Sequence, residues 1–294
     1  MLNNLRKTAR RARDKILLPL HPRHSPNHFN SQAQQKLLLA EYRRLLQGGL
    51  PLPSYRDVGF RAYSETDEDG ILLFIFSLIN FSTYNAVEIA CGGADPSITA
   101  NLIMHHNFDA LLFEFDGDSV KLATQLYSSN IDTGQRQPKI VKAWVTTDNI
   151  NDLILANGFS GEVDLLVIDV NGVDYWLWEH INVIDPRVVV IECNRLWPPD
   201  TAVTIPNKTD FWRFDYNEHY YGCSALAAVK LGKRKHYRLV AANNLGHNLV
   251  FVKEELIKDI MPEVAPEEFL KKRHLNILRE KYLQGIQSHE WVRV

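Results

Sequence analysis

Two stretches decide the fold: Val163-Asp164-Leu165-Leu166-Val167-Ile168-Asp169-Val170-Asn171-Gly172 and, after a short helical interval, Arg187-Val188-Val189-Val190-Ile191-Glu192-Cys193-Asn194. Each is a nearly continuous apolar run that ends on an acidic residue. Strands buried on both faces by helices read this way, whereas a half-exposed strand alternates. In an open α/β sheet, ligands bind in the crevice outside the carboxyl ends of the strands. Asp169 and Glu192 are therefore expected at the mouth of one crevice.

Working outward, the pattern alternates strand and helix. Upstream, strands are expected at 85–90, 110–115 and 139–145, with helices at 71–79, 95–106, 119–129 and 150–156. Asp95-Pro96 reads as the N-cap and first residue of its helix. A helix over 174–181 separates the two quoted strands. Downstream come an irregular segment at 196–209, a helix at 223–231, and two strands at 237–241 and 249–253 joined by a tight turn. Five strand–helix units and a closing hairpin predict a doubly wound α/β fold: a mostly parallel seven-stranded sheet with a terminal antiparallel hairpin. The expected division is a basic helical arm and linker over 1–50, the α/β domain over 51–253, and a charged helical tail over 254–294.

The chain has 294 residues, 45% hydrophobic and 23% charged, as in ordinary globular proteins. Residues 1–25 carry seven cations against Asp14 alone, a local +6 that leaves −8 on the rest of a chain whose total is −2. A body this acidic does not suit nucleic acid, which needs clustered cations. Leu2, Leu5, Ala9, Ala12 and Ile16 recur at helical spacing among the arginines, a pattern suited to packing on the domain or to peripheral membrane contact through residues 1–20. Residues 21–30 read as a linker and 32–47 as a helix. Cys91, Cys193 and Cys223 are far apart and form no CxxC pair, which suits a reducing, cytoplasmic setting.

The first strand turns through Glu88-Ile89-Ala90-Cys91-Gly92-Gly93. Small residues there admit a ligand close to the backbone. A dinucleotide fingerprint would read GxGxxG, and an aspartate at 95 would repel a pyrophosphate. A ligand bearing an ammonium and a sulfonium fits better, and S-adenosylmethionine is such a ligand. About twenty residues on, the second strand ends Glu114-Phe115-Asp116, where an acid can take both hydroxyls of a ribose. Glu114 is the first candidate and Asp116 the second.

These blocks, with Tyr63-Ser64, Glu68-Asp69-Gly70, Asp169 to Asp174, Glu192-Cys193-Asn194 and Tyr220-Tyr221-Gly222, resemble FkbM-type S-adenosylmethionine-dependent methyltransferases over about residues 60–253. The resemblance implies a class I, Rossmann-like methyltransferase that O-methylates a sugar, a glycan precursor or a related small molecule. It places Glu68, Glu88, Cys91, Gly92, Glu114 and Asp116 at the cofactor. Asp169 is the leading catalytic candidate, followed by Asp174 and Glu192. Asn171, Asn194, Trp197 and Tyr221 are expected to orient or bind the acceptor. His247 is a further candidate base. The chain departs from the family at Ala90, where a glycine is usual, and at Asn171, where an acid is usual. Asp169, Asp174 and Glu192 are also an oxygen set of the kind Mg²⁺ takes, but the amide at 171 weakens that case. Two rival readings are a degraded methyltransferase-like binding module and a nucleotide-cofactor oxidoreductase.

Overall fold

The computed structural model describes residues 26–93, 96–130, 133 and 136–294, so the basic repeat at 2–16 and Asp95 lie outside the described residues. In chain order the elements are α1 (Pro26–Gln47), α2 (Glu68–Ile79), β1 (Asn85–Ile89), α3 (Ala100–His106), β2 (Asp109–Glu114), α4 (Gly117–Ser129), β3 (Lys139–Lys142), α5 (Ile150–Ala156), β4 (Gly161–Ile168), α6 (Asp174–His180) and β5 (Ile184–Glu192). There follow β6 (Val203–Thr204), a 3₁₀ turn (Arg213–Asp215), α7 (Ala225–Arg234), β7 (Tyr237–Ala242), β8 (Asn248–Lys253), α8 (Glu254–Ile257), α9 (Pro266–Leu270), α10 (Arg273–Gln287) and β9 (Val292–Arg293).

The central sheet has seven strands in the order β3-β2-β1-β4-β5-β8-β7. The first five are parallel. β8 runs antiparallel between β5 and β7, so the closing hairpin inserts its second strand next to β5. Residues 165–168 of β4 and 188–191 of β5 are wholly buried, as their apolar runs require. The order reverses between β1 and β4, and that switch point opens the crevice at the carboxyl ends of the strands.

The opposite, amino end is closed by a buried ion pair. Arg187 Nη1 lies 2.7 Å from Asp164 Oδ1 and also donates to the Asn80 carbonyl, while Arg187 Nη2 donates to Ile79 O at 2.8 Å. Asp164 accepts the backbone N–H groups of Ser82, Thr83 and Tyr84 at 2.7–3.0 Å. This fixes the loop entering β1 against β4 and β5.

Several boundaries differ from the sequence reading. The linker expected over 21–30 is helical from Pro26, where α1 begins. Gln35 of α1 exchanges amide hydrogen bonds with Asn101 of α3 at 2.9 and 3.0 Å, and Tyr42 packs edge-on against Phe74. The helix after β1 starts at Ala100, not at Asp95-Pro96, because Glu88 binds the backbone of residues 98 and 99 and holds them out of the helix. The tail is only partly helical: β9 returns to pair with β6, and Leu275 and Ile286 of α10 are buried. Among the described residues no helix is long and apolar enough to cross a membrane.

Candidate functional site

The cofactor candidates are built on the ends of β1 and β2. Ala90 and Cys91 both donate their N–H to Phe113 O, at 2.9 and 3.1 Å, which turns the chain sharply out of β1. Ala90 stands at φ +68 and Gly92 at φ +60. A Cβ at 92 would meet only Pro96 O, at 3.5 Å, so the glycine serves the backbone conformation and leaves the space above it open. Ala90 takes the same left-handed region with a Cβ, a strained choice for a residue that cannot bond its own backbone.

Two buried glutamates brace this turn. Glu88 Oε1 accepts from Ile98 N at 3.0 Å, and Oε2 accepts from Ser97 Oγ at 2.7 Å and Thr99 N at 3.1 Å. Glu114 Oε2 accepts from Gly92 N at 2.9 Å and Oε1 from Asp116 N at 2.8 Å. Glu114 thus braces the backbone while its carboxylate retains further lone-pair capacity. Burial pushes the Glu114 carboxyl up, against those two N–H groups. Asp116 caps α4 instead, since its Oδ2 takes both the N–H and the hydroxyl of Ser119. Cys91 is buried, and burial together with Glu88 and Glu114 pushes its thiol well up, so it offers backbone only.

The Tyr63 to Gly70 block splits between two tasks. Asp69 Oδ2 gathers the N–H groups of Ala62, Tyr63 and Ser64 and the Ser64 hydroxyl at 2.7–2.9 Å, while Oδ1 has no partner. Burial pushes Asp69 up to about 6. Tyr63 O accepts from Ser97 N at 3.2 Å and joins this block to the cofactor turn. Glu68, expected at the cofactor, is tied instead to the β7–β8 hairpin: its Oε1 accepts from Asn243 at 2.8 Å and Asn248 at 2.9 Å. Burial raises Glu68, but the two amides and nearby backbone prevail and hold it below its ordinary value.

At the ends of β4 and β5 three carboxyls converge. Asp174, buried, accepts from Val170 N at 2.7 Å and Gly172 N at 2.8 Å, so both of its oxygens shape the loop after β4. Burial pushes it to about 6, with those N–H groups and Arg213 pulling the other way. Asp169 and Glu192 stand side by side at the ends of β4 and β5, one residue beyond the paired Ile168 and Ile191, where they can share a proton. Burial first, and Asp174 second, push Asp169 up, with Glu192 pulling the other way. Glu192 is 7% exposed, its Oε2 has no other partner, and burial and Asp169 push it well up. Two carboxyls so close cannot both ionise, so near neutral pH the pair holds one proton.

The acceptor candidates fare unequally. Asn171 sits at φ +54, which asparagine tolerates, with its Nδ2 3.4 Å from Asp169 Oδ1. Asn194 is consumed by the fold: its Nδ2 donates to His219 O and Tyr221 O and its Oδ1 accepts from Leu196 N. Trp197 is not on a rim; it is buried edge-on against Trp291, with centroids 4.9 Å apart. Tyr221 lies under the Arg213 guanidinium, 5.4 Å from its ring centroid, and within the field of Glu192. His247 is buried beside Asn243, with Arg195 3.4 Å from its Nδ1. Burial and then Arg195 push it down, against Glu68 and Glu65. Among the described residues no group of three metal-ligating side chains could hold a metal ion.

Sequence reasoning missed Arg213. It donates to Asn171 Oδ1 and brings a cation to Asp174 and Glu192. It rides on a strap, residues 206–217, that crosses the carboxyl edge of the sheet. Phe211 packs on Gly172, where a Cβ would come within 3.0 Å of the ring. Trp144 Nε1 donates to Thr209 O at 2.7 Å, Asn207 bonds Thr147, and Trp212 packs on Phe115 at 5.6 Å. The strap thus runs from the end of β4 to the residues following β2 and β3. A surface groove of about 640 Å³ lies elsewhere, between residues 46–56 and 259–268.

No protein-family model matches the chain. No curated protein sequence matches it. Solved structures with a similar chain course include magnesium protoporphyrin IX methyltransferase from Synechocystis PCC 6803 with bound S-adenosylmethionine (12% identity, 63% of this chain and 77% of that one, TM-score 0.40). A putative caffeoyl-CoA O-methyltransferase from Staphylococcus aureus is similar at 15% identity over 82% of this chain and 99% of that one, TM-score 0.42. A putative O-methyltransferase from Klebsiella pneumoniae is similar at 11% identity, 81% and 94% coverage, TM-score 0.41.

Proposed function

We propose that the chain is an S-adenosylmethionine-dependent methyltransferase of FkbM type that O-methylates a sugar, a glycan precursor or a related hydroxylic small molecule. The observation that carries the reading is the pair of buried glutamates, Glu88 and Glu114, bracing an open turn at the switch point of a seven-stranded sheet. Glu114 retains lone-pair capacity beyond its backbone bonds, which suits a ribose hydroxyl. The backbone at 90–92 would lie along the amino-acid end, where Gly92 leaves room. The unpartnered carboxyl oxygens of Asp69 and Glu192 suit a cationic ligand and oppose the pyrophosphate of a dinucleotide. Ala90 adopts a turn geometry that glycine would favour and does not block it.

S-adenosylmethionine, when bound, supplies an already activated methyl group. The protein's task is then to align an acceptor oxygen and to take its proton. Asp169 is the base, with Glu192 as its protonated partner. Asp174 holds the loop that carries Asp169 and is a positioning residue.

The test is acceptor-dependent release of S-adenosylhomocysteine over a panel of monosaccharides, nucleotide sugars and catechols. Turnover with a hydroxylic acceptor, abolished in Asp169→Asn with the fold retained, supports the reading. Turnover that survives this substitution removes the assigned base, and release with amine acceptors alone removes the O-methylation reading.

A further inference from the structure

Arg213 has no place in the proton transfer just described, yet it reaches Asp169 through one intervening side chain. Its Nη1 donates to Asn171 Oδ1. A guanidinium has donors only, so the Asn171 amide must present its oxygen to Arg213 and turn its Nδ2 away. The Nδ2 then faces Asp169 Oδ1, at 3.4 Å. An amide N–H stabilises an ionised carboxylate oxygen and offers nothing to a protonated one that must itself donate. Among the described residues Glu192 receives no comparable donor, and its Oε2 is buried without a partner. The two members of the pair therefore differ by one directed hydrogen bond.

We infer that Arg213 is a positioning residue which, by locking the Asn171 amide, places the shared proton on Glu192 and leaves Asp169 as the ionised member of the pair. The guanidinium is itself held over the rings of Phe214, 4.9 Å away, and Tyr221, 5.4 Å away, so its direction is fixed by the strap. The charges facing Asp169 come from every side: Asp174 at the start of α6, Glu192 at the end of β5, Glu65 ahead of α2 and Glu88 on β1. Those facing Glu192 are Asp169, Asp174 and Arg213. Asp174 raises both members and does not choose between them, whereas Glu65 and Glu88 raise Asp169 and the Arg213 charge lowers Glu192, fields that by themselves would send the proton to Asp169. The hydrogen bond that the Arg213–Asn171 contact directs onto Asp169 is the interaction that reverses that choice. It also gives the amide at 171 a use that a carboxylate there would not have: a second negative charge beside Asp169 would push the proton back onto it.

The inference leans on the methyl-transfer reading only in giving Asp169 a proton to accept. Its test uses the full-length protein with no cofactor or acceptor, so the two fail separately. Protein labelled with ¹³C at the Asp and Glu carboxyls is titrated by NMR, the two resonances being assigned with Asp169→Asn and Glu192→Gln. In the wild type at neutral pH Glu192 is expected protonated and Asp169 ionised. Asn171→Gly keeps the left-handed backbone and the Arg213 charge but removes the amide. It is expected to raise the proton affinity of Asp169 about tenfold, the loss of about one hydrogen bond to a carboxylate. Arg213→Met frees the amide but also removes the cation that lowers Glu192, so the rise at Asp169 should be smaller than in Asn171→Gly, and Arg213→Lys, which keeps a donor and the charge, should lie closer to the wild type. Should Arg213→Met fail to fold, Asn171→Gly still decides. A protonated Asp169 in the wild type, or an Asp169 titration unmoved in Asn171→Gly, overturns the inference.

Discussion

Substituting Glu88 by glutamine changes one atom in a buried site and should be expensive. Glu88 is 3% exposed and accepts three hydrogen bonds: from Ile98 N on one oxygen, and from Ser97 Oγ and Thr99 N on the other. A glutamine amide keeps one acceptor and presents an NH₂ to the other side. The Ser97 hydroxyl can reverse and accept from that NH₂, but a backbone N–H cannot. Whichever way the amide turns, Ile98 N or Thr99 N is left facing a donor in a buried place. The remaining bonds also lose their charge assistance. An unpaired buried donor costs about 1–3 kcal/mol, and charge assistance adds about 1 kcal/mol per bond, so the total is about 3 kcal/mol. For a domain of this size that lowers the melting temperature by roughly 6–10 °C. Urea and thermal unfolding of Glu88→Gln against the wild type measure it, and amide exchange at residues 98 and 99 localises it. A loss below about 1 kcal/mol, or unchanged protection of those two amides, would refute the view that Glu88 holds the segment ahead of α3.

Asp164→Ala leaves the buried Arg187 unpaired and should cost about 3–5 kcal/mol in urea unfolding. The exposed pair Arg136–Asp109 is the control, and Asp109→Ala should cost about 0–1 kcal/mol. Burial raises Asp174 to about 6 and pushes Glu192 well above its ordinary value, so the native protein keeps protons that the unfolded chain has shed above about pH 4. Stability should therefore fall as pH rises from about 4 through neutrality, and Glu192→Gln should flatten that fall and gain on the wild type at about pH 8. A slope unchanged by Glu192→Gln would contradict the placement of the excess proton. Ala90→Gly relieves about 1–2 kcal/mol of left-handed strain and gives back about 0.4–1 kcal/mol through the unfolded chain. The variant should unfold at an equal or higher urea concentration, and a clearly lower midpoint would show that the methyl group is packed.

The sheet was legible because a strand buried on both faces cannot hide its composition. The runs at 163–168 and 188–191 contain almost nothing that water would tolerate, and their acidic ends mark where the chain leaves the core. The charged residues within and beside those runs carry a further signal. Asp164 and Arg187 stand at matching positions in consecutive strands, since Val163 pairs with Pro186 and Leu165 with Val188. Opposite charges at one register of two buried strands must neutralise each other. The aromatic residues misled. Trp197 reads as a rim residue beside two prolines, but its partner Trp291 is far along the chain, and no local pattern announces that contact. Asn194 similarly reads as a ligand when its amide is saturated by backbone carbonyls from an irregular segment. Arg213 was invisible for the same reason: residues 206–217 have no period, and its partner Asn171 lies on another loop. The rings that do reach solvent, among them Phe115, Trp144 and Phe214, are 42–45% exposed and belong to that strap or its anchors.

The central claim is that the ends of β1 and β2 hold an adenosyl cofactor, and calorimetric titration with S-adenosylhomocysteine tests it most directly. Micromolar binding is predicted for the wild type, with none to NAD. Glu114→Ala should weaken it about a hundredfold, the loss of two hydrogen bonds to a charged carboxylate. No binding by the wild type, or binding indifferent to Glu114, would contradict the account.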